Sequence, residues 1–225
     1  MLLAWDTSTD EVTLALVDGG DVLGQRSGGG ARRHAEVLAP LISELLVGAG
    51  IAGGDLDALV VGVGPGAYTG LRVGLVTAQV LAWTWGVDAV GACSLDAVAV
   101  RAVTEHPDAC SHGVRVVADA KRGQVFAATY DASGRRRSGP AVGDPASLCA
   151  ADVPVVGSAV LRYPQACTGV LPGADSHAVP DASWLARGVA EGLIERRGLT
   201  PLYLRQPDVT VGAGTKPVLQ PGRSS

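Results

Sequence analysis

The sequence predicts an α/β protein of two coupled lobes, the second smaller than the first. Three observations predict it. Strand-like and helix-like runs alternate through the first half of the chain, and a turn-rich stretch from Pro107 to Gly113 interrupts them. At 225 residues the chain is also long for one compact domain and short for two.

Leu2 to Trp5, Val12 to Val17 and Asp21 to Gln25 are strand-like, with Asp18-Gly19-Gly20 turning the chain between the last two. They predict a three-stranded antiparallel meander. Ser27-Gly28-Gly29-Gly30 reads as a turn into a helix from Arg32 to Val47, where His34, Val37, Leu38, Leu41, Ile42, Leu45 and Leu46 recur at three- and four-residue spacing. Pro40 removes an interior hydrogen bond and predicts a kink that sets the first turn apart.

Ala58 to Val63 is a β-branched run of the kind buried on both faces, closed by Gly64-Pro65-Gly66. The next helix, from Thr69 to Trp85, carries Arg72 as its one charge and must be covered on more than one side. Gly70, Gly74, Ala78 and Ala82 fall on one stripe at four-residue intervals, while Leu71, Val73, Val76, Val80 and Leu81 fill the other directions. The stripe predicts a face that a partner helix approaches closely, the remainder facing the core. On that reading Gly74→Leu abolishes partner binding without unfolding the chain. A strand from Val87 to Val90 and a helix from Ser94, its expected N-cap, to Glu105 complete a first lobe over residues 1–107.

The second lobe is expected over 108–208: strands Val114 to Ala118 and Gln124 to Tyr130 around the turn Asp119 to Gly123, then a strand from Val153 to Gly157, a helix from Ser183 to Arg197 and a strand from Leu202 to Leu204. Residues 209–225, rich in Gly and Pro, are expected to be a disordered tail.

Composition narrows the function. Hydrophobic residues make up 47% and charged ones 18%, and no apolar run reaches the length of a membrane span, so a soluble protein with no membrane partner is expected. Met1 to Asp6 lacks the features of a signal peptide, which predicts a cytoplasmic location. Cys93, Cys110, Cys149 and Cys167 are too scattered for a disulfide scaffold or a zinc knuckle and are expected as reduced, buried thiols. A net charge of −4 argues against nucleic-acid binding by the chain alone. Arg135-Arg136-Arg137, its one basic cluster, reads as a solvated hairpin turn rather than a nucleic-acid contact.

Among motifs, Gly62-Val63-Gly64-Pro65-Gly66-Ala67 matches a dinucleotide-binding pattern in form. It follows the wrong strand, however, and reads better as glycines for a tight turn. Two lysines, Lys121 and Lys216, both stand away from any strand-to-helix turn and exclude a P-loop. His34, His106, His112 and His177 form no metal-binding pair by spacing, and no serine elbow occurs, so neither a metal site nor a catalytic residue is assigned. What remains is a pair of acid-bearing turns, Asp6-Thr7-Ser8-Thr9 and Asp119-Ala120-Lys121-Arg122-Gly123, each after an apolar strand. Asp6, Thr7, Ser8 and Asp119 are the candidate nucleotide-binding residues. Such paired turns resemble the phosphate loops of the actin/hexokinase/Hsp70 (ASKHA) superfamily, with the second lobe here reduced.

Trp5-Asp6-Thr7-Ser8-Thr9, His34 to Pro40, Gly64 to Gly74, Asp119 to Val125 and Tyr203 to Asp208 together resemble, in order, the landmarks of the TsaB (YeaZ) family. The resemblance implies a non-catalytic scaffold or activator that acts with TsaD-like and TsaE-like proteins. Their reaction places a threonylcarbamoyl group on an adenosine of tRNAs reading codons that begin with A. TsaD-like paralogues hold a metal with a His-x-x-x-His motif, and the matching positions here are Ser94 and Val98. The resemblance therefore implies no cofactor of the chain's own, ATP and metal residing in the partner subunits, and tRNA met only through the complex. It also implies a helical interface shared between a homodimer and TsaD. Combined with the stripe, this assigns His34, Val37, Leu38, Leu41, Gly70, Leu71, Gly74 and Ala78 to the interface. The alternatives are a small-molecule kinase or ATPase using Asp6 and Asp119, and a dinucleotide-binding protein using Gly62 to Ala67.

Overall fold

The computed structural model describes residues 1–30, 33–150 and 152–205. Arg32, the end of the second lobe at 206–208 and the tail at 209–225 lie outside them. Two sheets carry the strands. The first comprises β1 (Leu2–Asp6), β2 (Glu11–Asp18), β3 (Asp21–Gly29), β4 (Ala58–Gly62) and β5 (Asp88–Ala92) in the order β3-β2-β1-β4-β5. The second comprises β6 (Val114–Asp119), β7 (Val125–Tyr130), β8 (Arg136–Gly143) and β9 (Val155–Val156) in the order β8-β7-β6-β9. The helices are α1 (His34–Ala49), α2 (Tyr68–Trp85), α3 (Ser94–Glu105), α4 (Pro145–Leu148), α5 (Ala159–Arg162) and α6 (Ala182–Ala190).

The period-two alternation of strands sorts the first lobe's core into two layers. Leu3 and Trp5 of β1, Leu14 and Leu16 of β2, and Leu59 and Val61 of β4 face α1 and α2. Ala4, Ala15, Val17 and Val60 point the other way, against α3 and α6. The small side chains on that second face bring α6 close, although α6 lies in the second half of the chain. Both sheets repeat one pattern: β1 pairs antiparallel with β2 and parallel with β4, as β6 does with β7 and β9. This is the duplicated two-lobed architecture of the actin/hexokinase/Hsp70-like fold, with a second lobe whose own helices α4 and α5 span four residues each. Buried along its whole length but for Arg101, Thr104 and Glu105, α3 is the wall the lobes share. Its Leu95, Val98, Ala99, Ala102 and Val103 join the second sheet's core, and its Ala97 and Val100 join the first.

Several local expectations are corrected. Ser27, Gly28 and Gly29 belong to β3, paired with β2, rather than to a turn. Pro40 lies inside an uninterrupted α1. An interior proline costs about 3 kcal/mol. Burial of Leu38, Ile42, Leu45 and Leu46, at about 1.5–3 kcal/mol each, outweighs that cost. Ser94 is the first helical residue of α3 and not its N-cap, a position Cys93 occupies. Arg135 is exposed in the β7–β8 turn and the Arg137 side chain is 71% exposed, as a solvated turn requires, but Arg136 stands in β8 with a side chain only 14% exposed and so departs from that reading. The helix α6 stops at Ala190, where Glu191 caps it and Gly192 turns left-handed. Leu202 to Leu204 is not a strand, though Leu202 N–H donates to the Val63 carbonyl at 2.8 Å.

Candidate functional site

Between the lobes lies a cavity of about 570 Å³. Its floor is apolar, from Leu95 and Val98 of α3, Val116 and Ala118 of β6, and Phe126 of β7; Ser8, Asp119, Lys121 and Arg162 stand among its polar lining. The two acid-bearing turns approach it from opposite lobes, but their carboxylates differ in surroundings.

Asp6, at the end of β1, is 1% exposed and turned inward. Its Oδ1 accepts from Ser8 N–H at 2.8 Å and from Ser8 Oγ, and its Oδ2 accepts from Ser94 Oγ. Ser94 Oγ in turn accepts from Gly64 N–H at 3.1 Å. One carboxylate thus ties the first turn, the β4–α2 turn and α3 together. A side chain at Gly62 would put its Cβ 1.8 Å from Asp6 Oδ2, so only glycine fits there. Burial pushes the Asp6 carboxyl above its ordinary 3.8, and the Ser8 and Ser94 hydrogen bonds oppose that rise. Thr7 is fully buried against Gly74 of α2, and its Oγ1 has no hydrogen-bond partner among the described residues.

Asp119, at the end of β6, does line the cavity. Its Oδ1 accepts from Lys121 N–H at 2.9 Å and from the Tyr163 hydroxyl at 3.3 Å, while Lys121 Nζ and Arg162 Nε each lie 3.5 Å from Oδ2. Lys121 Nζ also reaches Asp10 Oδ2 at 3.5 Å and so bridges the two turns. Of the four candidate nucleotide residues, the fold therefore brings Ser8 and Asp119 to the cavity and withdraws Asp6 and Thr7 from it.

The interface assignment needs a larger correction. His34, Leu38, Gly70, Leu71, Gly74 and Ala78 are all buried inside this chain. His34 Nε2 lies 2.7 Å from the Thr9 carbonyl. A Cβ at Gly70 would come within 2.4 Å of the Thr7 carbonyl, and one at Gly74 within 2.4 Å of Thr7 Oγ1. The small-residue stripe lets α2 ride on the β1–β2 turn, an intramolecular close approach that satisfies the same pattern as a partner helix would. Val37 and Leu41 alone among the assigned residues stay partly exposed. What α2 turns outward is the opposite face: Val76 at 56%, Val80 at 54% and Trp83 at 87% exposure. Positions 76, 80 and 83 follow the i, i+4, i+7 spacing of one helical stripe.

A feature with only a faint sequence signal stands at the cavity mouth. Arg72 lies 4.0 Å over the Tyr68 ring, Tyr68 stacks on Tyr203 at 4.2 Å, and Arg72 donates to both hydroxyls. The four-residue spacing of Tyr68 and Arg72 on a helix foretells their meeting, whereas Tyr203 arrives through tertiary folding alone. Metal-type ligands gather elsewhere, at Glu105, His106 and His177. Ser94 is engaged by Asp6 and Gly64, and Val98 is packed in the core, so the start of α3 offers no metal ligand pair.

Comparison with known proteins points in one direction. A family model described as TsaD, tRNA N6-adenosine threonylcarbamoyltransferase, matches residues 25–169. An uncharacterized protein of Mycobacterium leprae is 36% identical across 97% of this chain, which spans 59% of that protein's length. The tRNA threonylcarbamoyladenosine biosynthesis protein TsaB of Bacillus subtilis is 32% identical over 129 residues, 57% of this chain and 54% of its own. Among solved structures, YeaZ from Pseudomonas aeruginosa superposes with a TM-score of 0.76 at 29% identity, covering 90% of this chain and 99% of that one.

Proposed function

The chain belongs to the TsaD family and, within it, to the TsaB (YeaZ) group, and from that premise we propose that it is a non-catalytic scaffold in tRNA threonylcarbamoyladenosine formation. It docks a TsaD-like catalytic subunit through the outward face of α2, with a TsaE-like ATPase completing the assembly. In their absence a second copy of the chain covers the same face. The observation that carries this reading is the stripe of Val76, Val80 and Trp83, exposed apolar side chains flanked by the partly exposed Val73 and Leu81. Scattered apolar residues are ordinary on a surface, but a contiguous stripe with Trp83 at its end suits a protein interface. A symmetric contact uses the same patch twice, so a paralogue with a similar patch can replace one copy. The inward-turned Asp6 supports the non-catalytic part, because its carboxylate is engaged by Ser8 and Ser94 and stands outside the cavity lining, away from where the metal of a bound phosphate would sit.

The test is threonylcarbamoyl transfer to tRNA by the cognate TsaD-like and TsaE-like proteins, supplied with threonylcarbamoyl-AMP and ATP, with and without this chain. Transfer is expected to require the chain, and the chain alone to be inactive. Val80→Glu should keep the melting temperature of the parent while losing at least about tenfold in stimulation, equivalent to roughly 1.4 kcal/mol of lost binding. Equal transfer without the chain would overturn the scaffold reading. Phosphotransfer by the chain alone would favour a kinase instead.

A further inference from the structure

The sequence spacing of the histidines disguises a cluster that the fold assembles at the far end of α3. Glu105 is the last residue of that helix and His106 its C-cap. The 3-10 turn Ala174–His177 lays His177 against them, 1% exposed. His177 Nε2 lies 3.1 Å from Glu105 Oε2, and its ring centroid stands 5.5 Å from that of His106. Ligand atoms of the three residues all fall within 4.8 Å of one another.

We propose that Glu105, His106 and His177 form a binding site for a divalent transition-metal ion of the zinc type, at the opposite end of α3 from Ser94 and Val98. Two imidazoles and one carboxylate are a ligand set that suits zinc, with a water as fourth ligand, and one that magnesium or calcium, which take oxygen donors, would not select. Zinc bonds of about 2.0–2.2 Å place neighbouring donors roughly 3.3 Å apart in a tetrahedron, so the Glu105–His177 pair already stands near that separation. His106 is partly exposed, and a rotation of its side chain closes the remaining gap while leaving a path for solvent.

The surroundings orient the ligands as metal sites require. The Gly173 carbonyl faces His177 Nδ1 at 3.4 Å, which directs Nε2 toward Glu105. Arg101 Nε holds Glu105 Oε1 at 3.0 Å, which leaves Oε2 turned to His177. The consequence for the fold is a brace. His177 is followed by Ala178, Val179 and Pro180 in the cavity wall, and the Pro180 carbonyl accepts from Thr13 Oγ1 of β2 at 2.8 Å. An ion here fixes that wall to the shared helix.

The experiment uses the full chain, stripped with a chelator, titrated with zinc by calorimetry and with cobalt(II) as an optical reporter. One equivalent of zinc should bind and raise the melting temperature, and cobalt(II) should give the visible bands of a four-coordinate N/O site without thiolate charge transfer. His106→Ala, chosen because its ring is partly exposed, and Glu105→Gln should each weaken zinc binding by at least about tenfold and erase the cobalt bands. If His106→Ala fails to fold by circular dichroism, Glu105→Gln decides. Failure of the parent chain to bind zinc, or equal affinity in the folded variants, would overturn the site and leave the His177–Glu105 contact as a close polar pair.

Discussion

Asp6 concentrates, in one side chain, the difference between a phosphate-binding acid and a structural one. An acid whose folded-state pKa lies above its unfolded value binds protons more readily when folded, so its contribution to stability falls as pH rises through and beyond 3.8 and stays low above the folded pKa. Asp6→Asn removes that dependence. Its amide oxygen still accepts from Ser8, and its amide N–H meets Ser94 Oγ, which already serves Gly64 as an acceptor. Relative to the parent, the variant should therefore gain stability as pH rises from about 3.8 toward neutrality. Urea midpoints across that range measure the slope, and a parallel pair of curves would mean that Asp6 is not held in a desolvated state. The sequence told where this acid would stand, at the end of an apolar strand. It did not tell that Ser94, distant in the chain, would claim it.

At the scale of elements, α2 illustrates how a helix can be legible while its orientation is not. Its extent followed from the apolar run and the bounding Gly66 and Gly86, and its demand for cover on several sides followed from Arg72 being its one charge. The stripe of Gly70, Gly74 and Ala78 predicted a close approach but not by whom, and the nearer candidate was the β1–β2 turn of the same chain. Gly70→Ala should accordingly destabilise the protein by about 1–3 kcal/mol through overpacking against the Thr7 backbone. That loss outruns the roughly 1 kcal/mol that alanine gains over glycine in a helix. Chemical denaturation at constant m-value measures it, and a stabilised variant would refute the packing. Gly74→Leu is expected to compromise folding itself, a reversal of the effect the sequence pattern alone suggested.

Across the whole molecule, the lobes are joined by a buried polar clasp on α3. Asp96, 3% exposed, accepts from the Tyr130 hydroxyl at 2.8 Å and pairs with Arg136 Nε at 3.4 Å, and Arg136 also reaches Glu195 at 3.4 Å. Burial raises the Asp96 carboxyl above its ordinary value, with Arg136 and Tyr130 opposing the rise. Arg136→Ala strands a buried carboxylate and should cost about 3–5 kcal/mol at neutral pH. Asp96→Asn in the same background should restore part of that loss. Because a protonated Asp96 needs no cation, the cost should also shrink as pH falls. Denaturation of the single and double variants checks both, and an unaltered midpoint in Arg136→Ala would show that the pair carries nothing.

The strand-like runs within Leu2 to Val17, the β-branched run at Ala58 to Val63, the three- and four-residue spacing in α1 and the four-residue stripe in α2 were enough to determine the order of elements in the first lobe and its α/β class. These signals are local, because strand and helix each impress their own period on the side chains they bury. The paired acid turns were legible for the same reason, each being a short segment after an apolar strand. Which face of α2 met the chain's own interior, whether Asp6 looked toward the cavity or away from it, what neutralised Arg136, and that Glu105 and His106 would meet His177 were decided only in the tertiary structure. Each depends on a contact between distant segments, and such a contact leaves no period in the sequence for either partner to reveal.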